Sequence, residues 1–214
     1  MSERSSILTD SHVAAPAAAY LTSKRKRAVD ILGAAFGLLL LAMIFPFVAT
    51  VIKLTSRGPV FYRQARLGKH GNVFLLLKFR TMGRDAERDT GPVWSTSGDQ
   101  RITRVGRILR KTYLDEIPQF WNVFKGEMSL IGPRPERPEM VDEIEKTVPD
   151  FGSRLEAKPG ISGLAQVVYR YGSTVGDARV KLRLDRLYVS TASLSADLKI
   201  FARTLIHVVS RRGS

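Results

Sequence analysis

Apolar residues along this chain fall into one long run and several short ones. From Ile31 to Ile52 no residue is charged. As a helix, that run is long enough for the roughly 30 Å apolar core of a bilayer. A basic cluster, Lys24-Arg25-Lys26-Arg27, precedes it. Before the cluster, residues 1–23 are Ser/Ala-rich and lack apolar periodicity, so they read as a disordered tail. A buried core helix would keep a polar stripe, which the run lacks. A signal peptide would have a shorter apolar region ending in a small-residue cleavage site. A single kinked transmembrane helix is a further reading, but two features favour a re-entrant one, a helix-break-helix over 24–55. Pro46 lies inside the run, where it removes a helix hydrogen bond and clashes with the preceding turn. Positive charge also flanks both ends, with Lys53, Arg57, Arg63 and Arg66 following the run. The positive-inside rule keeps both flanks cytoplasmic. Asp30, at the entrance, is expected to pair with a nearby arginine, because a lone carboxylate at the membrane boundary is costly.

Beyond the run the pattern shortens. Arg57-Gly58-Pro59 reads as a turn and Val60-Phe61-Tyr62 as a short strand. A second turn between Gly68 and Gly71 leads into a β-type run, Val73 to Phe79. Residues 83–100 are polar and Gly-containing, which predicts a mobile loop. Helices are expected over Ile102–Leu114, Ile117–Phe124, Pro138–Val148 and Leu182–Tyr188. Three prolines make 132–138 an extended, stiff segment, and Lys158-Pro159-Gly160 reads as a turn. A last amphipathic helix, Leu194–Arg212, has Leu198, Phe201, Leu205 and Ile206 on its apolar side and Lys199, Arg203 and Arg211 among its charges. It suits the lipid headgroup region or packing against the domain. The fold class that follows is α/β, mostly helical with a small β element. A compact catalytic domain over 56–192 follows the membrane segment, and the amphipathic helix occupies 193–214.

Composition narrows the chemistry. Among 214 residues, 34 Lys and Arg face 20 Asp and Glu, a net charge of +14. Such an excess points to an anionic partner: nucleic acid, anionic lipid or a phosphate-rich substrate. The absence of cysteine excludes disulfides and thiolate catalysis. The three histidines, His12, His70 and His207, are too scattered for a His-based metal site.

The stretch Leu114-Asp115-Glu116-Ile117-Pro118-Gln119 carries the strongest chemical signal. Taken alone, an Asp-Glu pair is usually a solvated helix end. Here Arg101, Arg104, Arg107 and Arg110 recur every third residue upstream, with Lys111 beside them. Carboxylates set among cations can bind Mg²⁺ and phosphates together. A carboxylate approaching a pyrophosphate meets like charge, about 4 kcal/mol per unit pair at 4 Å and an effective dielectric near 20. Cations must offset that repulsion, and an arginine can bridge two phosphate oxygens. The candidates are Lys78, Arg80, Arg110, Arg134 and Arg170. For each alone, a surface or lipid-contacting role is an equal reading.

Taken together, the segments resemble the bacterial sugar transferase family, the monotopic phosphoglycosyl transferases. The matching runs begin with Lys26-Arg27-Ala28-Val29-Asp30, Gly58-Pro59-Val60-Phe61 and Lys78-Phe79-Arg80-Thr81-Met82. Arg101-Ile102-Thr103-Arg104-Val105-Gly106 and Leu109-Arg110-Lys111 lead to Leu114–Gln119. Asn122–Ser129, Gly132-Pro133-Arg134-Pro135-Glu136, Lys158–Gln166, Ser193-Leu194 and Asp197–Ile200 complete them, in the family's order. The resemblance implies a re-entrant membrane helix, interfacial amphipathic helices, Mg²⁺ held by Asp115 and Glu116, and a covalent phosphosugar intermediate. It implies that Asp115 attacks the β-phosphorus of a UDP-sugar and releases UMP, and that undecaprenyl phosphate then accepts the sugar phosphate. Glu116 would help bind Mg²⁺ and position or deprotonate groups, while Lys78, Arg110, Arg134 and Arg170 fall on positions that resemble the family's phosphate-handling residues. The implied location is the inner membrane, with the catalytic domain facing the cytoplasm. One departure stands out: the family commonly has Ser-Pro at the membrane break, and this chain has Phe45-Pro46. The chain lacks the additional membrane helices of longer members and resembles the minimal catalytic form.

Two other classes were weighed. A nucleic-acid or lipid-binding protein without chemistry would explain the charge, but no nucleic-acid motif is present and the uncharged apolar run fits DNA poorly. A non-catalytic assembly scaffold would not need the intact Asp115-Glu116 pair. The sugar is expected to be a hexose such as glucose or galactose rather than an acetamido sugar, with 169–177 and 83–100 as candidate contacts. A homo-oligomer is compatible with the sequence.

Overall fold

The computed structural model describes residues 14–84, 86–88, 91, 98–169 and 175–210. The long apolar run forms α2, Lys24–Thr55. Ser23 caps its start, the hydroxyl accepting from the Lys26 N–H at 3.1 Å. Ala34, Gly37, Val48 and Ile52 face inward, while Leu32, Phe36, Leu39, Met43, Phe47 and Leu54 face out. Only 17% of the most apolar window is buried, far from the burial a water-soluble core helix requires.

The expected helix-break-helix is not seen as two helices. Helical structure continues through Pro46 from Lys24 to Thr55. Proline removes one N–H and crowds one carbonyl, while several turns on either side hold the helical path. The residue before it is also pinned. The Phe45 ring stacks on Phe61 at 5.4 Å and lies 6.4 Å from Phe79. Thr50 donates its hydroxyl to the Pro46 carbonyl at 2.8 Å. The Phe-Pro departure therefore carries an aromatic anchor in place of a hydroxyl.

Both ends of α2 rest on the same domain. Near the start, Ala34 packs with Phe74, Leu76, Val123 and Met128. Gly37 sits so close to Phe120 that a Cβ there would lie 2.2 Å from the ring. Near the end, Val48 and Ile52 pack with Phe79 and Leu109. A buried polar network holds the first turn. Lys26 Nζ lies 2.7 Å from Asp197 and 3.4 Å from Asp30. Asp30 also accepts from the Ser129 hydroxyl at 2.9 Å and the Leu130 N–H at 3.0 Å. The arginine expected opposite Asp30 is thus a lysine one helical turn before it. Tyr20 and Tyr188 donate to Asp197 at 2.7 and 2.8 Å.

The disordered tail expected over 1–23 needs correction. Residues 1–13 lie outside the described residues, but α1, Ala15–Leu21, is helical. Pro16 sits in its first turn, where a missing N–H costs little. Ala17 is buried against Tyr188, Val189, Ala192 and Ile200. Alanines show no apolar period, so the segment resembled a tail.

β1, Phe61–Leu67, and β2, Val73–Phe79, form an antiparallel hairpin with Phe61 opposite Phe79 and Leu67 opposite Val73. β1 continues past the expected Val60–Tyr62. α3, Arg104–Lys111, and α4, Phe120–Lys125, flank the hairpin's end, joined by a 3-10 turn over Leu114–Gln119. β3, Ser129–Ile131, runs parallel to β4, Gly160–Ser162, a pair the sequence pattern did not reveal. A Cβ on Gly160 would lie 2.1 Å from the Gly132 nitrogen, so glycine is required for that approach. α5, Pro138–Glu145, and α6, Leu164–Val168, precede α7, Val175–Thr191, which is longer than the expected Leu182–Tyr188. α8, Leu194–Val209, buries Ile200 on the domain and leaves Leu198, Phe201, Leu205 and Ile206 exposed.

Phe45→Ala should lower stability by about 2 kcal/mol through lost stacking and burial. Thermal unfolding in detergent reads this as a fall in Tm. An unchanged Tm would remove the anchoring role.

Candidate active site

A backbone reversal presents the acidic pair. Tyr113 adopts a left-handed conformation, φ 58°, and ends the path of α3. The following 3-10 turn carries Asp115 and Glu116 in its first turn. Burial of Ile117, Pro118 and Gln119 anchors the turn against the domain. The turn packs on β2, which carries Lys78 near its end.

Glu116 lies at the centre of a cation clamp. Lys78 Nζ donates to Glu116 Oε1 at 2.7 Å. Arg134 donates through Nη2 to Oε1 at 2.7 Å and through Nη1 to Oε2 at 3.5 Å. Burial alone would raise the Glu116 carboxyl, but Arg134 and Lys78 outweigh it and hold it well below the usual carboxylate range. Asp115, only 6% exposed, accepts no side-chain hydrogen bond among the described residues. Burial pushes its carboxyl up; Lys78 opposes the rise and Glu116 adds to it. Burial also lowers the Lys78 ammonium, against the pull of Glu116. The two adjacent carboxylates are therefore electrically unlike: one is paired with two cations, chiefly through Oε1, and the other is buried and, among the described residues, without a direct donor.

Arg110 comes from α3. Its Nε donates to the Thr81 hydroxyl at 3.0 Å, and its charge acts on Asp115. Thr103 caps α3 by accepting from the Gly106 N–H at 2.9 Å. A Cβ on Gly106 would stand 2.0 Å from the Thr81 carbonyl oxygen, so this glycine lets α3 press against the loop that receives Arg110.

Arg134 lies on the stiff segment after β3. Gly132 N–H donates to the Ser162 carbonyl at 2.9 Å, and Gly160 N–H to the Pro133 carbonyl at 2.9 Å. Behind it, Arg154 donates through Nη2 to the Arg134 carbonyl at 2.7 Å and lies 2.8 Å from Asp185. The Arg154 guanidinium also covers the Phe151 ring, 4.9 Å from its centre. Burial pushes the Asp185 carboxyl up to about 6 despite Arg154. Sequence reasoning missed Arg154 and Asp185. Their signal was a lone arginine before Lys158-Pro159-Gly160 and a lone aspartate in a helix, and neither implies the other.

Of the residues expected at the site, the structure gathers Lys78, Arg110, Arg134, Asp115 and Glu116. Arg80 goes elsewhere. Its guanidinium donates to the Ser56 carbonyl at 2.8 Å, to the Ser56 hydroxyl at 3.0 Å and to the Arg57 carbonyl, latching the end of α2. These orphan carbonyls at a helix terminus explain its position. Arg170 and 171–174 of the expected sugar contacts lie outside the described residues, as does much of 83–100. Pro46 lies on α2, beside the aromatic stack and not among the acidic pair's partners.

Arg154→Ala should destabilise the fold by about 3 kcal/mol, because it leaves Asp185 buried without its cation. Denaturant unfolding measures the loss. A change within about 0.5 kcal/mol would mean the pair contributes nothing.

Comparison with known proteins shows the family. Residues 21–211 match the family model for bacterial sugar transferases. A UDP-N-acetylgalactosamine-undecaprenyl-phosphate N-acetylgalactosaminephosphotransferase of Aeromonas hydrophila is 41% identical over 88% of this chain and 44% of its own length. A UDP-glucose:undecaprenyl-phosphate glucose-1-phosphate transferase of Caulobacter vibrioides is 43% identical over 85% of this chain and 68% of its own. An exopolysaccharide production protein of Rhizobium leguminosarum bv. phaseoli is 39% identical over 87% of this chain and 96% of its own. The chain thus spans less than half of the Aeromonas protein and nearly all of the Rhizobium one. With the family match running from the start of the membrane helix's basic flank to the end of the last helix, this chain belongs to the bacterial sugar transferase family.

Proposed function

We propose that this protein transfers a sugar-1-phosphate from a UDP-sugar to undecaprenyl phosphate and releases UMP, an early membrane step of exopolysaccharide or glycan assembly. The observation that carries the reading is the asymmetry of the acidic pair. Asp115 is buried and lacks direct donors among the described residues, whereas Glu116 is neutralised by Lys78 and Arg134. A carboxylate relieved of hydrogen bonds is the better nucleophile of the two.

In the first step an Asp115 carboxylate oxygen bonds to the β-phosphorus of the donor. The bond from that phosphorus to the bridging oxygen breaks, and UMP leaves with the oxygen. Lys78, Arg110 and Arg134 offset the negative charge that gathers on the phosphoryl oxygens. In the second step a phosphate oxygen of undecaprenyl phosphate attacks the same phosphorus. The bond to Asp115 breaks, the carboxylate is restored, and a polyprenyl-diphospho-sugar forms.

The two carboxylates fit a magnesium ion of the kind the family implies. Among the described residues no three acidic or histidine side chains gather into a cage. Mg²⁺ needs none, since one or two carboxylates and substrate phosphates suffice. Asp115 and Glu116 would hold it, and it would supply charge neutralisation at the diphosphate.

The membrane reading rests on α2. A helix that crossed a bilayer would carry one end away from a domain on the other side. Here Lys26 and Ile52 both contact the domain, and one face of α2 is exposed and apolar along its length. A path that returns to the side it entered, bending at Pro46 without ending the helix, accounts for this, with both flanks cytoplasmic and the exposed faces of α4 and α8 at headgroup level. The domain then faces the cytoplasm on the inner membrane. Relatives act on glucose and on N-acetylgalactosamine by name. A simple hexose remains the proposed sugar.

Asp115→Asn should abolish UMP release from a UDP-sugar panel assayed with undecaprenyl phosphate and Mg²⁺. Retained turnover would remove Asp115 as the nucleophile. A raised Asp115 pKa means the group takes up a proton at a pH where an ordinary aspartate is still ionised. UMP release should therefore fall on acidification with a midpoint above about 4, the ordinary aspartate value. A midpoint at or below that value would contradict the electrostatics.

A further inference from the structure

Away from the acidic pair, a second group of cations surrounds the end of α4. Arg27 donates to the Val123 carbonyl at 2.7 Å and to the Phe124 carbonyl at 2.6 Å, closing the helix. Gly126, φ 88°, turns the chain there, and a Cβ on it would lie 3.5 Å from Arg27 Nη2 and 3.6 Å from Lys158 Nζ. The two cationic tips are therefore no more than about 7 Å apart. Lys69, on the hairpin turn, and Lys26 add further positive charge that acts on Lys158.

Among the described residues Lys158 has no counterion of its own. Half-buried, it makes no ion pair or side-chain hydrogen bond among the described residues. Asp30 is the acid that acts on it most strongly among the described residues, and Asp30 is already committed to Lys26, Ser129 and the Leu130 N–H. Glu127, the acid nearest in sequence to Gly126, is taken by Lys125 and Asn122 at 2.8 and 2.7 Å. A half-buried ammonium facing other cations is costly unless an anion joins them. Two charge-assisted hydrogen bonds of about 2.8 Å, with the width of one phosphate between them, span the gap between Arg27 and Lys158.

The surroundings indicate where that anion comes from. Arg27 immediately precedes the apolar run of α2. The carbonyl it caps belongs to Phe124, whose ring stacks on Trp121 at 5.9 Å. Both rings are exposed, 43% and 45%. Cations beside exposed aromatics at the root of a membrane helix mark headgroup depth. The Asp115–Glu116 centre draws on Lys78, Arg110 and Arg134, and none of these belongs to the second group.

We propose that Lys158, Arg27 and Lys69 form a binding site for the phosphate of an anionic phospholipid headgroup, separate from the catalytic centre. The bound lipid acts as the missing counterion and fixes the first turn of α2 at the membrane surface. This rests on the membrane placement proposed above, but not on the transfer chemistry.

Trp121 lies one helical turn from the site and reports on it. The full chain carrying Trp94→Phe, reconstituted in phosphatidylcholine vesicles, is titrated with phosphatidylglycerol bearing brominated acyl chains, which quench tryptophan on contact. Brominated phosphatidylcholine is the reference. Phosphatidylglycerol should half-saturate quenching at a level about fivefold lower than phosphatidylcholine, the preference expected from one cation near the surface. Lys158→Gln should bring the ratio close to one, and Lys69→Gln should reduce it. Lys69→Gln, at a turn, keeps the test open if Lys158→Gln fails to fold. Equal quenching by both lipids in the unsubstituted chain, or an unchanged preference in both variants, would overturn the proposal. So would displacement of phosphatidylglycerol by millimolar inorganic phosphate, which would make this a soluble-phosphate site. UMP release by Lys158→Gln in detergent should match the unsubstituted chain. A parallel loss of release would place Lys158 in the catalytic centre and overturn the separation of the two sites.

Discussion

The site depends on charge balance around one half-buried glutamate. Glu116 sits where an isolated carboxylate would be costly, and Lys78 and Arg134 meet it at 2.7 Å each. That balance fixes the orientation of two cations before any substrate arrives. It also leaves Asp115, the neighbouring residue, without a donor among the described residues. Preorganised cations beside an underbonded carboxylate suit a reaction in which negative charge must approach negative charge.

Each member of this group reaches the site by a separate constraint in the fold. Lys78 is delivered by the register of the hairpin, which places it opposite Tyr62. Arg134 is held by a backbone sewn to β4 and backed by Arg154. Arg110 depends on a glycine that lets α3 lie against the Thr81 carbonyl. The acidic pair itself depends on the left-handed turn at Tyr113. A few ångströms of movement in any of these would separate charges that now offset one another, and the glycines and the reversed turn leave little slack.

Part of this arrangement is legible in the sequence. The span of β2, the acidic pair, and the participation of Lys78, Arg110 and Arg134 followed from local pattern and resemblance. What remained hidden depended on contacts between distant segments. Arg80 sits two residues after Lys78, yet the end of the strand sends it to the carbonyls of Ser56 and Arg57. The Lys26–Asp30–Asp197 network joins the first turns of α2 to α8, and no local period marks such a link. α1 was concealed by its alanines, which pack well but carry little pattern. At Pro46, proline chemistry favoured a break, while the stacking of Phe45 on Phe61 is a tertiary contact that composition does not reveal.

The central claim is that Asp115, and not its clamped neighbour, carries the sugar phosphate between donor and lipid. Peptide mass spectrometry of the protein mixed with UDP-sugar and Mg²⁺, with the lipid acceptor withheld, tests it most directly. The account predicts a phosphosugar mass gain on the peptide spanning Leu114–Gln119, localised by fragmentation to Asp115 and lost when undecaprenyl phosphate is added. The same gain localised to Glu116, or steady UMP release with no adduct on either residue, would contradict it.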